Sequence, residues 1–261
     1  RLRLPHQRPE QGRLAGAVRP DQADPIAAED PLGIVADDRH AAERLAHPIG
    51  VEDLTAGRLG GVHAHADAAP LGAVLRPLLP EQRIVGEAYT IQGAGIDPIV
   101  SWDEGVERML SYLHVFEKLT SDSLMVSTTP TTSPVGHLGE LTANSAKAHG
   151  CVGVILDGNL RDIDGLRDIK FQVFYRDLSP LNGIGRWEMI AEQQPVVIGD
   201  VTVNPGDIVM GEFDGVIVIP RAEAERVLLK AEEIYYAEGR VRSEARDGVP
   251  PLTSFNRHGH I

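Results

Sequence analysis

An arginine, two acids and the free amides of a helix start are enough to seat a carboxylate or an enolate oxygen. This chain carries such a set in two neighbouring runs. In GVILDGNLRDIDG, residues 153–165, Arg161 and Asp162 follow an apolar strand pattern and the Asp157-Gly158 pair expected to turn the chain. That places both side chains at the carboxyl edge of a sheet, where α/β proteins bind ligands. In GHLGEL, residues 136–141, Glu140 opens a helical pattern whose first N–H groups, those of Glu140 and Leu141, would face an anion. Each residue also has a plain structural use: Asp162 can cap a helix beside a solvated Arg161, and the helix dipole favours an acid at Glu140. The Arg-Asp dipeptide recurs at 167–168, 176–177 and 246–247, so position rather than composition singles out the first.

Other routes to chemistry are weaker. His63 and His65 form a His-x-His in GVHAHADAAP, but no strand pattern precedes them and no downstream His and Asp set completes a metal site. The chain has four lysines, Lys118, Lys147, Lys170 and Lys230, and none lies in a run that looks like a Schiff-base site. Cys151 is the single cysteine and opens an apolar run, as a small buried hydrophobe does, so a disulfide framework and a thiolate zinc cage are both excluded. No glycine-rich phosphate loop or Gly-x-Ser-x-Gly elbow is present. The closing RHGH reads as a polar tail.

The elements that must position the set come from the second part of the chain. Residues 83–93 and 123–129 read as strands, 103–119 as a helix, 139–150 as a helix closed by Gly150, 151–158 as a buried strand, 163–169 as a short helix and 171–177 as a strand. From 195 to 220, short β-branched segments alternate with Gly-Asp, Asn-Pro-Gly-Asp and Asp-Gly corners, and a long amphipathic helix follows Pro220. An α/β unit leading into hairpins and a last helix predicts a layered β/β/α domain over residues 71–250, with a tail over 251–261. Residues 1–70 read as an atypical segment, disordered or not native coding sequence. From Arg1 to Ala88 there is no Phe, Tyr, Trp, Lys, Ser, Asn, Met or Cys, and nine of the eighteen prolines precede residue 81.

The whole chain has 261 residues and a formal net charge of −13, which argues against a protein that grips phosphate backbones. No nucleic-acid partner is expected. Neither a membrane-spanning run nor a secretory leader is visible, so the expected location is the cytoplasm and no membrane partner is expected.

Three blocks, GELTANSAKAHGCVGVILDGNLRD, FQVFYRDLSPLNGIGRWE and PVVIGDVTVNPGDIVMGEFDGVIVIP, resemble the RraA-like family in order and interval, over about Leu75 to Gly248. That family includes the 4-hydroxy-4-methyl-2-oxoglutarate and 4-carboxy-4-hydroxy-2-oxoadipate aldolases, which also decarboxylate oxaloacetate, and the RraA regulators of ribonuclease E. The resemblance implies an α/β fold of the swivelling β/β/α type, assembled as a homotrimer or homohexamer with sites between subunits. It implies a metal-dependent lyase acting on a small oxo acid, with Mg2+, Mn2+ or another divalent cation held at Asp162. Arg161 would pair with the substrate carboxylate and steady the enolate, and Glu140 would hold a metal-bound water. Gly139, Glu140 and Leu141 would bind the pyruvyl carboxylate through their amides. Glu238 looks like the acid contributed by a neighbouring subunit, its plain reading being a solvated helix charge. The competing class is a non-catalytic regulator that binds ribonuclease E or a helicase through its surface.

Overall fold

A computed structural model describes residues 69–71, 75–130 and 132–259. The expected loose segment before residue 69, with His63 and His65, lies outside the described residues.

Central strands form where the sequence is apolar on both faces. Ser123–Thr128 and Gly153–Leu160 are buried almost throughout, as parallel strands covered on both sides must be. The described strands in chain order are β1 (Ala69–Pro70), β2 (Arg76–Pro77), β3 (Ile84–Gly95), β4 (Ser123–Thr128), β5 (Gly136–Leu138), β6 (Gly153–Leu160), β7 (Val173–Leu178), β8 (Trp187–Glu192), β9 (Val196–Ile198), β10 (Val201–Val203), β11 (Ile208–Glu212) and β12 (Gly215–Ile219). The helices are α1 (Trp102–Val115), α2 (Glu140–Ala148), α3 (Ile163–Asp168), α4 (Ala224–Arg246) and α5 (Pro251–His258). One mixed sheet runs β1-β12-β11-β3-β4-β6-β7-β2, with β5 paired to β6 and β8 to β3; β9 and β10 form a separate hairpin. The β3-β4, β4-β6 and β6-β7 pairings are parallel.

Alternation along these strands sorts the core into two faces. Ile91, Met125, Val154, Leu156 and Val173 pack with Tyr112, Val115 and Phe116 of α1, Ala143 and Ala146 of α2, and Leu166 of α3. On the opposite face, Ala88, Leu124, Val126, Ile155 and Phe174 pack with Val196, Ile198, Val201 and Val203 of the hairpin. The layers are therefore hairpin, sheet and helices. The amphipathic α4 joins the helical layer through Val227, Leu228 and Ala231 against Val85, Ile208 and Met210.

Three features differ from the sequence expectation. Asp157-Gly158 does not turn the chain; β6 continues to Leu160, and the β6-β7 register shifts between Leu156 and Asn159. Glycine serves a bulge here, because a Cβ at Gly158 would lie 3.0 Å from both His137 Nδ1 and Thr129 Oγ1. Strands β5 and β8 carry no alternation long enough to be read in isolation, and tertiary pairing forms them. Residues Pro251–His258 are a helix rather than a tail, seated by one carboxylate: Glu244 accepts hydrogen bonds from Ser254 Oγ at 2.6 Å and Arg257 Nη1 at 3.2 Å, and lies 3.1 Å from His258 Nε2.

These bonds, led by that from Ser254, hold the Glu244 carboxyl down at about 2, below its usual range near 4.5. A depressed folded-state pKa contributes stability above the unfolded value that is lost as pH falls through the folded one. The α5 amides are thus expected to exchange faster with solvent as pH drops from about 4.5 to 2, and the pH-dependent part of that loss is expected to vanish in Glu244→Gln. Amide exchange corrected for intrinsic rates measures both.

Candidate functional site at the carboxyl edge of the sheet

The carboxyl end of β6 meets the N-terminus of α2 through β5. Gly136 pairs with Asn159 and Leu138 with Leu160, and Arg161 N–H donates to Leu138 O at 3.1 Å. The chain then turns at Asp162, whose φ of 60° and ψ of 42° are left-handed, a conformation aspartate tolerates better than most residues. Asp162 occupies the N-cap position of α3, yet its side chain makes no cap bond to that helix. Instead Oδ2 reaches across and accepts the backbone N–H of Glu140 at 3.2 Å, while Arg161 Nε stands 3.8 Å away. The capping use open to Asp162 in the sequence is therefore not the one observed.

Glu140 leans over α3. A Cβ on Gly165 would lie 2.6 Å from Glu140 Cγ, so the absent side chain makes room for its stem, and Asn144 Nδ2 donates to Glu140 Oε1. Gly139 is equally confined, because its Cβ would fall 2.3 Å from Asp162 Oδ2 and 2.9 Å from Arg161 Nε. Thr142 Oγ1 donates to Gly139 O at 3.0 Å and fastens the helix start. Arg161 and Asp162 keep 35% and 44% of their side-chain surface open to solvent, and Leu141 is 78% exposed, so the group is reachable.

The structure thus brings Gly139, Glu140, Leu141, Arg161 and Asp162 to one edge. Two of the three amides expected to face a ligand are engaged in this structure: Glu140 N–H donates to Asp162 Oδ2 at 3.2 Å and Gly139 N–H to Thr142 Oγ1 at 3.4 Å. Glu238 lies on α4, a helix seated on β3, β11 and β12, and pairs with Arg242 at 3.4 Å. The lysines do other work. Lys118 pairs with Glu192 and Lys230 with Glu233, both at 2.7 Å, and Lys147 donates to Ile169 O.

Sequence reading missed the framework behind this edge. His137, Ser133 and Asn159 are linked, and Trp187 and Tyr112 stack edge-on at 5.1 Å beneath them. Burial raises the Tyr112 hydroxyl well above the usual phenol range, so it remains a donor, and it reaches His137 O at 3.3 Å. A histidine in the run Gly-His-Leu-Gly, four residues after a serine, was the available signal.

The layers and the edge cluster define an α/β domain with an arginine and two acids displayed at parallel strand ends. The model of the RraA-like family, Aldolase/RraA, matches residues 61–218, and the chain belongs to that family. DlpA of Legionella pneumophila is 28% identical over 174 residues, covering 67% of this chain but 27% of DlpA, so the chain spans about a quarter of that relative. A Halalkalibacterium halodurans protein, provisionally named 4-hydroxy-4-methyl-2-oxoglutarate aldolase, is 29% identical over 167 residues, covering 62% of this chain and 72% of that one. Among solved structures, Streptomyces coelicolor RraAS2, described as an unusual member of the RNase ES inhibitor RraA protein family, superposes with a TM-score of 0.57 at 22% identity, covering 66% of this chain and 82% of that one. That last likeness supports the fold alone.

Proposed function

We propose that this chain is a divalent-metal-dependent lyase, a class II pyruvate aldolase that cleaves 4-hydroxy-2-oxo di- and tricarboxylic acids of the 4-hydroxy-4-methyl-2-oxoglutarate type and also decarboxylates oxaloacetate. The observation that carries this reading is the crossing of Asp162 from its own helix to the start of α2, beside Arg161 and Glu140. The name borne by the Halalkalibacterium halodurans relative supports the same substrate class.

The donor chemistry fits Mg2+ or Mn2+ kept largely in water. Among the described residues no group of three or more His, Cys, Asp or Glu is arranged to hold a metal, which disfavours a closed cage. A half-exposed carboxylate with a second acid nearby suits a hard cation that retains several waters. Asp162 would hold it, with Glu140 fixing one of its waters. When bound, the cation would supply Lewis-acid stabilisation to the enolate common to both reactions.

The chain's own groups supply the rest. Arg161 pairs with the substrate carboxylate and holds the oxo acid against the sheet edge. Glu140, oriented by Asn144, draws the proton from the 4-hydroxyl through a water, which aldol cleavage requires and decarboxylation does not. Glu238 of a neighbouring copy would complete the water shell in a homotrimer or homohexamer. No described helix is long and apolar enough to cross a membrane.

The test is pyruvate release from oxaloacetate and from 4-hydroxy-4-methyl-2-oxoglutarate, with Mg2+ and with excess chelator. Metal-dependent pyruvate from both supports the reading. No pyruvate from either, in a folded oligomer, overturns it in favour of a regulator acting on ribonuclease E or a helicase through an acidic surface.

A further inference from the structure

We propose that His137 is a positioning residue, a neutral imidazole clamp that fixes the 133–139 segment to the end of β6 and so sets the distance between Glu140 and the Arg161-Asp162 pair. The proposal rests on the lyase reading for its kinetic test and on geometry for the rest.

His137 is 8% exposed, and both ring nitrogens are engaged. Nδ1 accepts the backbone N–H of Asn159 at 3.2 Å, two residues before Arg161, and Nε2 lies 3.0 Å from Ser133 Oγ. Because a backbone N–H can only donate, Nδ1 is the acceptor and the ring proton sits on Nε2, which donates to Ser133. Burial pushes the imidazole down to about 4, so the ring is neutral at pH 7. A serine within reach of a histidine would otherwise suggest a nucleophile and its base. Here the tautomer forbids it: Nε2 already carries the proton and cannot take one from Ser133, and Nδ1 faces an amide rather than a carboxylate.

The clamp is closed from the other side. Asn159 Nδ2 donates to Ser133 O at 3.0 Å and Val135 O at 3.2 Å, so Asn159 grips the segment while its backbone is gripped by His137. Trp187 bears on the ring edge-on at 5.6 Å, and the missing Cβ of Gly158 leaves space for Nδ1. The segment so held continues directly into Gly139 and Glu140. A shift there moves Glu140 relative to Asp162, and displacements near 1 Å cost roughly 100-fold in rate.

The experiment compares wild type with His137→Leu, His137→Asn and Ser133→Ala. Leucine fills the space without an acceptor; the Asn Oδ1 can stand where Nδ1 stands and receive the Asn159 N–H. The expected result is a kcat for oxaloacetate decarboxylation about tenfold or more lower in His137→Leu, with KM changed less, and recovery to within about threefold in His137→Asn. Amide exchange over 136–141 and 159–161, which needs no activity, is expected to quicken in His137→Leu and to return in His137→Asn. Unchanged kcat and exchange in His137→Leu overturn the proposal, as does a kcat that tracks melting temperature across all three variants. Absence of pyruvate from wild type removes the lyase reading alone, and the exchange data then decide the clamp. Should His137→Leu fail to fold, His137→Asn and Ser133→Ala still decide it: the clamp predicts faster exchange over 133–139 in Ser133→Ala, and wild-type exchange there counts against it.

Discussion

Asp162→Asn is expected to fold as wild type does and to lose metal-dependent pyruvate release by roughly 100- to 1,000-fold, the range seen when one group that stabilises developing charge is removed. The choice of asparagine follows from the backbone. At φ 60° and ψ 42° most residues are strained, and alanine would add a conformational cost of about 1 kcal/mol to whatever the lost carboxylate does. Asparagine tolerates this region, and its Oδ1 can still accept the Glu140 N–H that Oδ2 now accepts at 3.2 Å. What disappears is the charge. Steady-state kinetics over a Mg2+ titration, read beside a thermal melt, check the outcome. A variant with wild-type melting and wild-type metal dependence would place the cation elsewhere and remove Asp162 from the mechanism.

The part of the site visible in sequence was the part set by local rules. An apolar run long enough for a buried strand, followed by Arg161-Asp162, puts that pair at a sheet edge whatever the rest of the fold does. Likewise Gly150, with φ of 90°, ends α2's turn where a glycine was expected to end it. The parts that were not visible depend on contacts between distant segments. Asp157-Gly158 carries the residues of a turn and forms a bulge, because β5 and His137 press against it from 20 residues upstream. Asp162 has the composition of a cap, yet its side chain accepts no N–H of its own helix; Oδ2 accepts the Glu140 N–H from across the edge instead. Strand β8 pairs antiparallel with β3 across about 90 residues of chain and has too little alternation to announce itself. Local sequence sets the two ends of the site, and packing decides how they meet.

That meeting gives the second large effect, from a residue with no side chain. Gly139→Ala is expected to lower pyruvate release by roughly 10- to 100-fold while changing stability by less than about 1 kcal/mol. The backbone permits the change, since φ of −139° and ψ of −179° are extended and open to alanine. Space beyond the backbone does not. The new Cβ would lie 2.3 Å from Asp162 Oδ2 and 2.9 Å from Arg161 Nε, and both are ends of side chains that can swing into solvent. The fold therefore yields cheaply and the site does not: Oδ2 leaves the Glu140 amide, and the arginine and aspartate separate. Gly165→Ala offers the contrast, because its Cβ presses on Glu140, 2.6 Å from Cγ, and has neither Arg161 nor Asp162 among its nearest neighbours. If Glu140 serves the proton transfer that only aldol cleavage needs, Gly165→Ala should depress cleavage of 4-hydroxy-4-methyl-2-oxoglutarate several-fold more than decarboxylation of oxaloacetate, whereas Gly139→Ala should depress both alike. Equal losses on the two substrates in Gly165→Ala would take Glu140 out of the base role and leave it a support for the start of α2.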